Sequence, residues 1–166
     1  QTYVARRVAG EPVSRVRGWR EFWSLKFELC AATLDPRPDS EILVECAVAF
    51  GLGRLEDGRS QGLRVLDMGT GSGCLLLACL SELPSATGLG LDINSDAIDM
   101  ARHNARALGL GKRATFAVAD FTASMEWLGY FDIILSNPPY IPSAQIATLS
   151  SEVAVYDPLL ALDGGH

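Results

Sequence analysis

The sequence predicts an α/β fold in which a parallel β-sheet is flanked by helices and preceded by a small β-hairpin. From residue 63 onward, short apolar segments that suit buried strands alternate with segments whose apolar residues recur at helical spacing. Residues 1–37 lack this succession of strand-like and helix-like segments. Pro36 and Pro38 mark a stiff, extended connection between them and the rest of the chain. Because alternating strands and helices build a parallel sheet, we expect helices on both faces of it.

The main part of the chain is expected to contain four strands, over residues 63–68, 87–92, 114–119 and 131–136. Helices are expected over residues 40–50, 74–83 and 95–108. Asp39 is the predicted N-cap of the first helix, and Gly51 and Gly53 are its predicted end. Pro84 and Gly109 are expected to end the other two helices.

The N-terminal part is predicted to be a hairpin. Large apolar and polar residues roughly alternate over residues 22–29, which indicates a strand, and residues 12–16 are its predicted partner. We therefore divide the chain into a linker and hairpin subdomain, residues 1–37, and a core domain, residues 38–166.

Composition narrows the classes of function. The 166 residues are 48% hydrophobic and 20% charged, as in a globular domain. The net charge of -6 argues against direct binding to nucleic acid, and no apolar run is long enough to span a membrane. The four cysteines lack metal-ligand spacing, so no metal is expected. We interpret them as reduced core or near-core thiols of a cytoplasmic protein.

A glycine-rich loop follows the first strand of the core domain. Residues 67–73 read Asp-Met-Gly-Thr-Gly-Ser-Gly and lead into a helix. Such glycines let the backbone approach a ligand, but the spacing is neither that of dinucleotide sites nor that of a phosphate-binding P-loop. Asp67 would repel a pyrophosphate and suits a cationic ligand instead. The pattern predicts a site for S-adenosylmethionine, which carries a sulfonium and an ammonium group.

Acidic and aromatic residues end the next two strands. Asp92 stands where nucleoside-binding α/β folds place a carboxylate on the ribose hydroxyls. Asp120 can accept a hydrogen bond from an adenine amino group, and Phe121 can pack on the adenine ring. Simpler roles, a helix-start acid for Asp92 and a strand-end turn for Asp120, remain open.

The fourth strand runs into Asn-Pro-Pro-Tyr at residues 137–140. A residue before proline is held in an extended conformation, and proline lacks an N–H, so this segment forms a rigid rim. We expect the Asn137 side-chain carbonyl and the Pro138 backbone carbonyl to accept both hydrogens of one NH2 group. Tyr140 adds a flat face for stacking. These features predict N-methylation of a planar NH2 group, either an amide or a nucleobase amine.

Seven segments together resemble the HemK/PrmC family of peptide chain release factor N5-glutamine methyltransferases. They lie at residues 10–13, 20–23, 36–41, 67–73, 137–140, 152–153 and 156–162. Two of these segments distinguish this family from other methyltransferases: Arg-Glu-Phe-Trp at 20–23 and Pro-Arg-Pro-Asp at 36–39. The glycine loop and the Asn-Pro-Pro-Tyr segment also occur in other methyltransferases. The resemblance implies a class I, Rossmann-like methyltransferase core.

The resemblance also implies the reaction and its residues. The substrate would be the glutamine of the Gly-Gly-Gln motif in a release factor, which acts in translation termination, and the product of the cofactor would be S-adenosylhomocysteine. The resemblance implies that Gly69, Gly71, Gly73, Asp92 and Phe121 bind the cofactor, and our own prediction adds Asp67, Thr70, Asp120 and Asn137. The implied substrate-binding residues are Asn137, Pro138, Pro139 and Tyr140, with Phe22 and Arg37 lining or bracing the site from the N-terminal side. Structural roles stay open for the last two: hairpin core for Phe22 and an ion pair for Arg37. Of the substrate-binding residues, Asn137, Pro138 and Tyr140 would be catalytic.

The sequence departs from the family in three ways. Residues 14–17, Ser-Arg-Val-Arg, are more basic than the apolar and aromatic stretch that is usual there. Ser40 stands where the family usually has Thr. Family members also have an N-terminal helical domain and further strands, so we expect a core without the last strands of the sheet. Two alternative functions stay open: an adenine N6-methyltransferase acting on nucleic acid, and a cofactor-binding fragment without activity.

Overall fold

The structure is a computed structural model, which describes residues 2–56 and 62–165. Its strands are β1 (Trp19–Phe22), β2 (Leu25–Glu28), β3 (Arg64–Met68), β4 (Thr87–Asp92), β5 (Ala114–Val118), β6 (Ile133–Ser136), β7 (Ile141–Pro142) and β8 (Asp163–Gly165). Its α-helices are α1 (Tyr3–Val8), α2 (Val13–Arg17), α3 (Glu41–Glu56), α4 (Cys74–Glu82), α5 (Ser95–Ala107) and α6 (Ser151–Tyr156).

The central sheet has the strand order β5-β4-β3-β6, and all of its pairs are parallel. The four predicted strands are thus confirmed, with ends that shift by two residues at most. Parallel strands expose their carboxyl ends at one edge, where ligands bind in open α/β sheets. The glycine loop, Asp120 and Asn137 follow strands at this edge, and Asp92 is the last residue of β4.

One face of the sheet forms the main core. Inward-facing Val65, Phe116 and Leu135 pack in one cluster with buried residues of α3, α4 and α5. A Cβ on Gly88 would lie 2.4 Å from Leu76 Cδ1, so α4 packs closely on β4. On the opposite face Ile134 is 59% exposed. The flanking helices are confirmed, but within the described residues the three longest share one face and not both.

The hairpin exists, but its predicted pairing is wrong. β1 pairs with β2 in antiparallel fashion, and residues 12–16 belong to α2 instead of a strand. Trp23 and Ser24 form the two-residue turn with φ of 54° and 58°. Such turns usually contain Asn or Gly, because other residues are strained at positive φ. Neither Trp23 nor Ser24 is a residue type that predicts a reversal of the chain at this point.

Helix α3 extends beyond its predicted end. It continues to Glu56, through both Gly51 and Gly53. A Cβ on Gly51 would lie 2.8 Å from both terminal carbons of Leu83, so glycine here allows close packing against the end of α4. Asp39 lies in a short 3-10 turn, Pro38–Ser40, which precedes the helix. Asn94 is the N-cap of α5 and accepts from the Asp96 N–H at 2.9 Å, and Gly109, with φ of 73°, follows the end of the helix as predicted.

The cysteines differ in exposure. All four are free, and burial raises the pKa of the Cys79 thiol to about 12. Cys79 is therefore a neutral core residue, as expected. Cys46 is exposed, so the prediction of a core position is wrong for this residue.

Asn104 connects the hairpin to the glycine loop. Its side chain is buried on α5, where Oδ1 accepts from the Glu28 N–H at 2.9 Å and Nδ2 donates to Glu28 O at 3.0 Å. Nδ2 also donates to Ser72 O at 2.9 Å. One side chain thus fixes β2 and the loop against the same helix.

We predict that Asn104→Ala lowers the free energy of unfolding by about 2–4 kcal/mol, because it leaves buried backbone groups of Glu28 and Ser72 without partners. Chemical denaturation measures this change. His103→Ala is the matched control, since exposed His103 contacts the Glu28 side chain at 3.1 Å and should change stability by less than ~0.5 kcal/mol. Equal losses in both variants would contradict the role given to Asn104.

Candidate active site

The glycine loop is held against the end of β4. The N–H groups of Gly69 and Thr70 donate to Leu91 O at 2.9 and 2.8 Å. Gly69, Gly71 and Gly73 have φ of 75°, 54° and 83°, the left-handed region that favours glycine. A Cβ on Gly73 would also lie 3.3 Å from Ala101 Cβ. Glycine is needed at these three positions because other residues would be strained at such φ angles.

Asp67 lies beneath the loop and does not line a cavity. Its carboxylate is fully buried, and Oδ2 accepts from Thr70 Oγ1 at 2.7 Å. Oδ1 has no hydrogen-bond partner among the described residues. Burial raises the pKa of Asp67 to about 6, and the Thr70 bond offsets part of this effect. The loop therefore covers a carboxyl group that ionises near neutral pH.

A cavity of about 330 Å³ opens in front of the loop. Asp92 lies on its wall, where Oδ2 accepts from the Gly71 N–H at 2.9 Å and Oδ1 accepts from the Asn94 N–H at 3.0 Å. Phe121 reaches over Gly69, with Cε1 3.6 Å from the position of a Cβ. The predicted site residues that line this cavity are Gly69, Thr70, Gly71, Asp92, Asp120, Phe121, Asn137, Pro139 and Arg37.

Asp120 is fixed by its own turn. Its Oδ1 accepts from the N–H and the hydroxyl of Thr122 at 2.8 and 2.6 Å. These two bonds lower the pKa of Asp120, so the group is an anion with a defined orientation at the cavity wall. It is placed to accept a hydrogen bond from a ligand.

A second cavity, of about 490 Å³, adjoins the first. Pro138 and Tyr140 line it, and Tyr140 is 76% exposed. Five residues line both cavities: Leu34, Arg37, Ser40, Asn137 and Ala161. The two spaces therefore meet at a common wall, which we call the shared wall.

Asn137 stands in the shared wall with a defined amide orientation. Its Nδ2 donates to Ser40 Oγ at 3.3 Å, so Oδ1 is the atom presented as an acceptor. The rim that follows is braced, because the Ile141 N–H donates to Leu162 O at 3.1 Å. Gly164 lies so close to this rim that a Cβ there would be 2.9 Å from Pro139 O. Both contacts brace the segment that the two prolines are expected to stiffen.

Arg37 lies in the shared wall within an ion pair. Its Nη2 donates to Asp157 Oδ2 at 2.6 Å, and Arg15 Nη2 donates to Asp157 Oδ1 at 2.7 Å. Sequence reasoning missed Arg15 and Asp157, although Asp157 lies in one of the segments that carry the family resemblance. It assigned no role to Ser40 either.

Phe22 is not part of the site. It is 2% exposed and packs edge-on against Phe27, with ring centroids 6.3 Å apart. The predicted substrate contact of Phe22 is therefore wrong, because alternation in β1 directs this side chain into the core. Gly73 and Asp67 support the loop from behind and do not line either cavity.

Comparison with known proteins identifies the family. The sequence family described as methyltransferase domain matches residues 59–162, which is more than half of the chain. This chain belongs to the methyltransferase domain family. The matched residues include the glycine loop and the strand ends that line the first cavity.

Several curated relatives carry the name release factor glutamine methyltransferase. The chain is 56% identical over 165 residues to the release factor glutamine methyltransferase of Rhodospirillum rubrum, covering 99% of this chain and 48% of the relative. It is 51% identical over 164 residues to the protein of the same name from Bradyrhizobium diazoefficiens, covering 99% and 54%. The chain spans about half the length of the curated relatives it matches.

Solved structures agree on the fold. The hMettl16 catalytic domain, in complex with MAT2A 3'UTR hairpin 6, has a TM-score of 0.65 at 16% identity and covers 92% of this chain and 56% of that chain. The N-terminal domain of human METTL16, in complex with SAH, has a TM-score of 0.56 at 18% identity and covers 73% and 49%. At these identities the likeness shows the methyltransferase fold alone.

No helix in residues 2–56 and 62–165 is long and apolar enough to cross a membrane. Over the same residues, no group of three or more His, Cys, Asp or Glu side chains is arranged to hold a metal ion.

We predict that Asp67→Asn stabilises the ligand-free protein at neutral pH. The pKa of Asp67 is higher in the folded state than in the unfolded state, so folding favours the protonated carboxyl group. The stability that this group contributes is fully present below about pH 4 and is lost as the pH rises through about 6. At pH 7.5 the variant should be more stable by up to ~3 kcal/mol, and near pH 4 by almost nothing.

Thermal or urea unfolding from pH 4 to pH 7.5 measures this difference. Asp99→Asn is the control, because that carboxylate is largely exposed and should show no such pH dependence. A loss of stability at pH 7.5 in Asp67→Asn would mean that the folded state favours the ionised group.

Proposed function

We propose that this protein transfers the methyl group of S-adenosylmethionine to the side-chain nitrogen of a glutamine in a peptide chain release factor. The observation that carries the proposal is the position of Asn137, which stands between the cavity in front of the glycine loop and a second cavity beside Tyr140. A transferase needs two reactant sites that meet, and the Asn137 amide lies where they do. The names of the relatives supply the identity of the acceptor.

We assign the cofactor to the first cavity. Its adenosine part would contact Asp92 through the ribose hydroxyls and Phe121 through the adenine ring, and Asp120 would accept from the adenine amino group. Its amino acid part would lie along the glycine loop, where buried Asp67 supplies negative charge below the cationic groups. The SAH in the human METTL16 structure supports this class of ligand for the fold.

We assign the acceptor glutamine to the second cavity, at the shared wall. Asn137 Oδ1 and the Pro138 carbonyl would accept the two N–H hydrogens of the amide, and the exposed ring of Tyr140 would cover its planar face. An amide nitrogen is a poor nucleophile because its lone pair is delocalised. The two hydrogen bonds favour a tetrahedral nitrogen and aim its lone pair at the methyl carbon.

The transfer is then a single displacement. The nitrogen forms a bond to the methyl carbon as the carbon–sulfur bond breaks, and the electron pair of that bond stays on sulfur, which gives S-adenosylhomocysteine. Positive charge moves from sulfur to nitrogen, where the two carbonyl oxygens stabilise it until a proton leaves to solvent. Fixed acceptors do this without reorganisation, because the proline rim is already rigid.

A nucleic-acid substrate is the competing reading of the same Asn-Pro-Pro-Tyr segment. The net charge of -6 and the names of the relatives favour a protein acceptor. The complete protein, offered a release factor and adenine-containing DNA and RNA together with methyl-labelled cofactor, should label the release factor alone. Label on nucleic acid in place of the release factor would reject the proposal, and no label on either would indicate an inactive cofactor-binding protein.

We predict that Asn137→Ala lowers kcat by ~100-fold to 1,000-fold, because it removes an acceptor that is needed most in the transition state. Cofactor Kd, measured by calorimetry, should change by less than about threefold, since the remaining cavity walls are intact. Trp127→Ala is the control, because Trp127 is 61% exposed and lies outside both cavities. Loss of cofactor binding in Asn137→Ala with no separate effect on kcat would contradict this role.

A further inference from the structure

A partly buried ion cluster joins three separate parts of the chain beside the shared wall. Asp157 directly follows α6, Arg15 belongs to α2, and Arg37 precedes α3. The Asp157 side chain is 4% exposed and accepts from Arg15 at 2.7 Å on one oxygen and from Arg37 at 2.6 Å on the other. We call these three residues the Asp157 cluster.

The two arginines of the cluster have different surroundings. Arg15 is 8% exposed, and it also donates to the backbone oxygens of Cys30 at 2.7 Å and Thr33 at 2.6 Å. The guanidinium of Arg15 therefore binds groups of the protein interior. Arg37 is 38% exposed, lines both cavities, and has Asp157 as the one side-chain hydrogen-bond partner among the described residues. Arg15 anchors Asp157, and Arg37 faces the ligands.

The cluster has an excess of positive charge. Two guanidinium groups share one carboxylate, and the neighbouring pair of Arg20 and Asp35, 3.7 Å apart, adds no net charge. Because Arg15 is buried, the excess is exposed at Arg37. A guanidinium has five N–H groups in a fixed plane, and the bond to Asp157 orients that plane while most donors stay available.

We infer that Asp157 is a positioning residue, which fixes the Arg37 guanidinium in the shared wall so that its remaining N–H groups bind an oxygen atom of a reactant. The inference rests on the proposed function for the identity of the reactants. The oxygen belongs either to the carboxylate of the cofactor or to a backbone carbonyl beside the target glutamine. Both are acceptors of the kind that an oriented guanidinium binds.

The test is a double-mutant cycle on the complete protein with Asp157→Asn, Arg37→Gln and the combination of both. Each single variant should lower kcat/KM by ~10-fold to 100-fold, and the double variant should be little worse than Arg37→Gln, because Asp157 acts through Arg37. Both single variants should raise the same binding parameter, either the Kd for S-adenosylmethionine or the KM for the release factor. A raised Kd for S-adenosylmethionine assigns the oxygen to the cofactor, and a raised KM for the release factor assigns it to the acceptor.

Two further variants separate positioning from structural support. Asp157→Glu keeps the charge and should recover part of the lost kcat/KM, whereas a purely steric role would make it as harmful as Asp157→Asn. Asp99→Asn is the matched control, since it removes an exposed ion pair with Arg102 and should leave kcat/KM unchanged. Additive effects of Asp157→Asn and Arg37→Gln would overturn the inference.

A measurement that does not depend on activity distinguishes this inference from the proposed function. The side-chain Nε–H signal of Arg37 in ¹⁵N-labelled protein should show a rigid group in the parent protein and a mobile one in Asp157→Asn. Failure to methylate a release factor would reject the proposed function, while this signal would still support positioning. An Arg37 signal that is equally mobile in both proteins would overturn the positioning role.

Discussion

The pairing of β3 with β6 is the interaction on which the site depends. Met68 lies opposite Ser136 in this register, and the Ser136 hydroxyl donates to Met68 O at 3.0 Å. The next residues along the two strands are Gly69 and Asn137, so the glycine loop and the acceptor segment begin side by side. Neighbouring strands are roughly 5 Å apart, which brings cofactor and acceptor within reach of one displacement. A shift of one residue in this register would turn the end of β6 over and remove the Asn137 side chain from the shared wall.

Buried charge is handled in two ways around this site. Asp67 has one hydroxyl partner and one oxygen without any, so its pKa is raised and its charge is costly until a cation lies nearby. Asp157 has a guanidinium on each oxygen and holds the chain after α6 against α2 and the segment before α3. In our account the first carboxylate attracts a ligand, and the second orders the wall that the ligand meets.

Sequence reasoning was most successful where local pattern and tertiary structure agree. The strands, the glycine loop and the residues at the strand ends follow from short-range periodicity and from the rule that parallel strands end at one edge. Asn137 was predicted for the same reason, since a residue between a buried strand and two prolines has few conformations.

The predictions that were wrong have physical causes that cannot be detected in a local sequence pattern. The hairpin turn uses positive φ at Trp23 and Ser24, which no sequence rule favours. Gly51 serves close packing against Leu83 and not a helix end. Phe22 was assigned to the substrate by resemblance, but it fills the core. The Asp157 cluster joins residues far apart in sequence, so only the folded chain reveals that Arg37 has a partner.

The central claim is that Asn137 directs the methyl group to the side-chain nitrogen of a glutamine. Tandem mass spectrometry of a release factor, incubated with the complete protein and methyl-labelled S-adenosylmethionine, tests it most directly. We expect one labelled methyl group on one glutamine side chain, which is absent when Asn137→Ala replaces the parent protein. Label on another residue type, or on the same glutamine at an unchanged rate in Asn137→Ala, would contradict it.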